Sequence, residues 1–120
     1  MLIEVIRWRV HVSNSKKHLE FWRAVIQHQK TNREKFHYKR SRYFTMVDSE
    51  SSQEHWMSSD EYENRGAFDR MYKAVEDHPE LVYPGEPGKL SQLREEKRSL
   101  TIPGSSKKEL WIEHADLAVD

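Results

Sequence analysis

The chain contains no cysteine, which removes disulfides, thiolate metal ligands and a cysteine nucleophile from consideration. Nor does charge of one sign prevail: twenty Lys and Arg balance twenty Asp and Glu. Nucleic-acid binding draws most of its affinity from phosphate neutralisation by a basic excess, so this balance argues against a nucleic-acid partner. The run from Lys30 to Arg42 is basic and interleaved with Phe36, His37 and Tyr38, but Glu34 interrupts it. Only four glycines are present, too few and too scattered for a dinucleotide fingerprint, and neither a phosphate loop nor a nucleophile elbow occurs. No apolar run reaches the roughly 18 residues of a membrane span, and no signal-peptide core stands out. A soluble, cytoplasmic protein with no membrane partner is expected.

At 120 residues the chain suits one domain. Hydrophobic residues are 36% and charged ones 33%, a thin core for a monomer, although four Trp, five Tyr and four Phe supply much apolar area. Small domains so composed often complete their burial by oligomerising.

Leu2 to Val12 alternates. Leu2, Ile6, Trp8, Val10 and Val12 share one side with Glu4 and should meet helices; Ile3, Val5, Arg7, Arg9 and His11 take the other. Ser13 to Ser15 offers helix caps, and a helix to about Asn32 should turn Leu19, Trp22, Val25, Ile26 and Gln29 inward. A second strand is expected over Tyr38 to Asp48, with Phe44 and Met46 on one face and Tyr43, Thr45 and Val47 on the other. A polar turn to Ser52 leads to a third strand, Gln53 to Met57, in a hairpin. Ser58 and Glu61 have capping-box spacing, so the second helix should begin there, with a break at Gly66. Its stripe is Phe68, Met71, Tyr72 and Val75, and Pro79 ends it. A short helix over Leu90 to Glu96 and a fourth strand over Arg98 to Ile102 follow. Residues 105–120 read as a tail, either a helix capped by Ser106 and Glu109 or an extra strand from Glu109 to His114, after a domain of residues 1–104.

This order is βαββαβ, an α+β ferredoxin-like unit: a four-stranded antiparallel sheet with both helices on one face. The open face then needs a cover, which a second copy of the sheet would supply. Three segments carry a family resemblance: the opening strand and its helix, Glu54-His55-Trp56-Met57-Ser58-Ser59-Asp60-Glu61-Tyr62, and Arg94 to Pro103. On these the chain resembles the dimeric α/β barrel superfamily, with its antibiotic-biosynthesis-type monooxygenases and NIPSNAP-like proteins. The resemblance implies a homodimer through the open sheet face. It also implies a monooxygenase-like enzyme that acts on an apolar or aromatic small molecule without a tightly bound cofactor. The alternative is a non-catalytic module that binds a small molecule or a protein.

Trp8, Trp22, Phe44, Trp56, Phe68 and Tyr72 could line a ligand cavity between sheet and helices, with Trp56 against the second helix. At these spacings aromatic side chains are core by default. In the haem-degrading branch of the resembled superfamily, a third-strand Trp acts with a first-strand Asn and a second-helix His. Trp56 matches the first, but Leu2–Val12 lacks Asn and the helix has only His78, beside Pro79, which argues against haem degradation. His55 is the catalytic candidate, because imidazole titrates near neutral pH. Strand alternation nonetheless points it away from Trp56. His11 and His55 could approach one another on neighbouring strands, yet no HxH or HxxxH pair occurs and no metal site is expected. Arg7, Arg9, Arg40 and Arg42 could hold a carboxylate or phosphate, or simply pair with acidic side chains.

Overall fold

A computed structural model describes residues 1–46, 50–85 and 87–119. The strands are β1 (Leu2–His11), β2 (Arg40–Met46), β3 (Gln53–Tyr62) and β4 (Lys107–Ile112). The helices are α1 (Ser15–Thr31), α2 (Arg65–Asp77) and α3 (Leu90–Leu100). The sheet runs β2-β3-β1-β4, and each neighbouring pair is antiparallel. All three helices lie on one side, giving a two-layer slab of 43 × 40 × 24 Å. Ferredoxin-like topology is thus present, with α3 inserted before the closing strand.

That closing strand is not Arg98–Ile102. Arg98, Ser99 and Leu100 are the last turn of α3, in which Leu93 and Leu100 share a face packed into the core. Helix-forming Arg94 to Lys97 carries the segment past its brief alternation, and Lys97 and Arg98 suit a helix C-terminus. Ile102 N–H still donates to the Arg9 carbonyl (2.9 Å). The chain therefore reaches the sheet edge there and enters the ladder at Lys107, within the segment read as a tail.

The expected capping box fails as well. Ser58 and Glu61 lie inside β3, which continues to Tyr62 because Trp56, Ser58, Asp60 and Tyr62 keep alternating toward the helices. Asn64 caps α2 instead, accepting from Ala67 N–H at 3.0 Å, and Gly66 sits in the first turn without a break. On α1 the buried stripe is His18, Phe21, Trp22, Val25 and Gln29; Leu19 is 36% exposed. The stripe is rotated by about one residue from the expected one, because His18 is buried in place of Leu19.

β2 corrects two face assignments. Tyr43 pairs with Ser58 and turns toward the helices, so Phe44 and Met46 lie on the open face. A shift of one residue exchanges the faces of a whole strand. Val47, Asp48 and Ser49 of the expected strand and turn lie outside the described residues.

Two apolar clusters fill the space between sheet and helices. Trp8, Val10, Phe21, Trp22, Val25, Trp56 and Leu100 pack under α1 and α3. Leu2, Phe36, Tyr62, Ala67, Phe68 and Met71 pack under α2. Trp56 therefore belongs with α1 and not, as expected, with Phe68 or Tyr72 on α2. Between the clusters the sheet presents polar side chains. In register, Ser41 faces Asp60 and Asp60 faces Glu4; one step on, Tyr43 faces Ser58 and Ser58 faces Ile6.

Candidate functional site

Over that polar strip lies a cavity of about 840 Å³, large enough for a drug-sized molecule. Its floor holds Glu4, Ser41, Ser58 and Asp60 from three adjacent strands. Trp8, Trp22, Tyr43 and Tyr83 line one end; Phe36, Tyr38, Tyr62, Met71 and Tyr72 line the other. Lys97 on α3 and Lys108 on β4 stand at its margin.

The two carboxylates face one another across β1 and β3. Their hydrogen bonds differ. Glu4, 4% exposed, accepts from the Tyr72 hydroxyl, which in turn accepts from Lys108 Nζ at 2.8 Å. Among the described residues, Asp60 accepts from Ser41 Oγ alone, at 2.5 Å. Burial pushes the Asp60 carboxyl up to about 6; the Ser41 hydrogen bond opposes this and the charge of Glu4 adds to it. Burial also raises the phenols: Tyr38 to about 12, and Tyr43, Tyr62 and Tyr72 further still. The phenols thus stay protonated near pH 7, and Asp60 is the group on this floor whose shifted proton affinity approaches neutrality. It can exchange a proton with a bound molecule.

Behind the Trp8 and Trp22 wall sits His18, 1% exposed. Both indole N–H groups donate to its Nε2, at 2.9 and 3.1 Å. The ring proton therefore resides on Nδ1, which has no hydrogen-bond partner among the described residues. The ring meets the Trp56 indole nearly edge to face at 4.6 Å. Burial pulls the imidazole down to about 4, with Glu54 opposing and Lys97 reinforcing the shift.

Of the residues proposed from sequence, Trp8, Trp22 and Tyr72 line this cavity. Trp56 and Phe68 lie in the two flanking clusters, with Trp56 Nε1 donating to Glu54 at 3.2 Å. His55 and Phe44 lie on the opposite face, beside a second hollow of about 560 Å³ with Arg7, Arg9, Met46 and Met57. His11 pairs in register with Gln53 and His55 with Arg9, so the two imidazoles are not direct cross-strand neighbours. Of the four arginines on that face, Arg7 pairs with Glu109 (2.7 Å), Arg40 and Arg42 both pair with Glu61, and Arg9 donates to Gln53. Sequence reasoning missed Asp60, Ser41 and His18. The signal for Asp60 was Glu4, an acid among the inward residues of β1, which asks for a polar neighbour on the next strand.

No protein-family model matches the sequence, and no curated protein does. Solved structures do. A mutant form of SnoaB, a cofactor-independent oxygenase from Streptomyces nogalater, aligns over 97% of this chain and 95% of its own at TM-score 0.53 and 15% identity. An antibiotic biosynthesis monooxygenase aligns over 95% and 99% at TM-score 0.57 and 13% identity. A Deinococcus radiodurans protein described as a candidate monooxygenase of that kind aligns over 100% and 99% at TM-score 0.55 and 12% identity.

Proposed function

We propose that this chain, whose ferredoxin-like α+β fold is shared with antibiotic biosynthesis monooxygenases, is itself an oxygenase for a flat, apolar aromatic molecule with an acidic C–H. The observation that carries the reading is Asp60, a carboxylate of raised proton affinity on the floor of a cavity walled by aromatic rings. Asp60 takes the proton from a methylene carbon of the substrate. The carbanion left behind reduces dioxygen and bonds to it, and the peroxide anion so formed takes the proton back from Asp60. The resulting hydroperoxide then loses water, so that one methylene group and one dioxygen molecule become one ketone carbonyl and one water. The electrons come from the substrate carbanion. Glu4, held by Tyr72 and Lys108, faces Asp60 across the strands, and its charge adds to the basicity of Asp60. His55, across the sheet, takes no part in this scheme.

Anthrone, a tricyclic ketone with an acidic benzylic C–H, is a suitable probe. The wild-type chain should consume dioxygen with anthrone faster than buffer does, with kcat/KM rising as the pH increases through about 6. Asp60→Asn should lose about 10²–10⁴-fold in kcat, the usual contribution of a positioned base. Full activity in Asp60→Asn would eliminate this assignment. Anthrone that binds without reacting would favour the binding-module reading.

A second copy of the chain completes the proposal. The open face carries Val5, Phe44, Met46, Met57 and Trp111, of which Phe44 is 41% and Trp111 53% exposed. Face-to-face pairing of two sheets should bury more than about 1,000 Å². Light scattering is expected to give twice the 14.4 kDa chain mass at micromolar concentration, and Phe44→Glu to give a monomer. A monomeric wild type would refute the pairing.

A further inference from the structure

Lys97 crosses the rim of the cavity at its indole end. Its Nζ lies 5.5 Å from the centre of the Trp22 ring and donates to the Tyr83 hydroxyl at 3.4 Å. Among the described residues no carboxylate lies within ion-pair distance of it, whereas neighbouring Arg98 pairs with Glu95 at 3.2 Å. Lys108 differs, since its charge is opposed by Glu4 through a single phenol. A half-buried ammonium without a counter-ion gives up solvation and gains no ion pair in return. Around it the walls are flat rings: Trp22 and Tyr43 lie 5.1 Å apart, and Trp8 and Tyr43 6.3 Å apart.

We propose that this end of the cavity is a subsite for the anionic group of a planar aromatic ligand, a carboxylate or an ionised phenol, with Lys97 as its counter-ion. The subsite rests on the reading that the cavity takes an aromatic molecule, and it specifies the substrate as an aromatic acid. Orientation follows from charge. Glu4 and Asp60 repel an anion at the centre of the floor, so the charged end lies at Lys97 and the neutral rings extend toward Asp60. Trp8 and Glu4 are four residues apart on β1, a span of roughly 13 Å.

The test compares 2-naphthoate with its neutral isostere 2-naphthamide by titration calorimetry on the whole chain. Wild type should bind the naphthoate about tenfold more tightly, the order expected of one hydrogen bond to a charged group. Lys97→Met should weaken naphthoate to the level of the amide and leave amide binding unchanged. Lys97→Arg should retain the preference. Equal affinities in wild type, or a preference that survives in Lys97→Met, would overturn the subsite while leaving the apolar cavity reading intact. Binding of neither compound would remove both.

Discussion

As the pH falls from 6.5 to 4, wild type will lose about 3 kcal/mol of stability relative to His18→Gln, followed by urea denaturation at several pH values. His18 is buried and neutral, with a folded-state pKa of about 4 against 6.5 when exposed. A base depressed in this way contributes its stability above pH 6.5 and loses it as the pH drops toward 4, because the unfolded chain binds the proton first. Protonation also places hydrogen on Nε2, which accepts both indole N–H groups. A glutamine carbonyl can accept both indoles and cannot titrate in this range. Asp60 acts with the opposite sign. Its carboxyl is raised from 3.8 to about 6, so acid stabilises the fold through it over much of the same window. Wild type should therefore show a shallow profile, and Asp60→Asn the full decline due to His18. Parallel curves for wild type and His18→Gln would contradict a buried, neutral imidazole at this position.

Trp8→Ala should cost about 3–5 kcal/mol, as large aromatic truncations in cores do. The indole is 7% exposed, stacks on Trp56 at 6.2 Å, and donates to His18. It meets Trp22 at 5.7 Å, so its loss opens the core into the cavity. A drop in Tm on the order of 15 °C is expected by calorimetry for a domain of this size. Trp8→Phe keeps a ring in the stack but leaves Nε2 with Trp22 alone, a cost of about 1 kcal/mol. A Trp8→Ala protein melting within a degree or two of wild type would show that the Trp8 site collapses at little cost.

Local pattern was enough to assign the inner face of β1, the existence of α1 and the stripe of α2, and with them the antiparallel ferredoxin-like order. Each rests on a long run with one dominant period, in which the apolar set is much larger on one side than the other. Leu2, Ile6, Trp8 and Val10 leave little choice, and Phe68, Met71 and Val75 turn inward as their spacing required. Where both faces of a segment are comparably apolar, local pattern cannot choose between them. Phe44 and Met46 were as eligible for the core as Tyr43, and pairing with β3 made the choice. Nor could a brief alternation separate strand from helix at Arg98, where burial of Leu93 and Leu100 on one helical face prevailed. The candidate site depended wholly on long-range pairing. Glu4 and Asp60 are far apart in the chain, and only the β1–β3 register sets them side by side. The acceptor at His18 is local for Trp22, one turn away on α1, but it receives Trp8 only because α1 packs against β1. Periodicity reports which way a side chain turns; which other side chain it meets is decided when the sheet pairs and the helices dock.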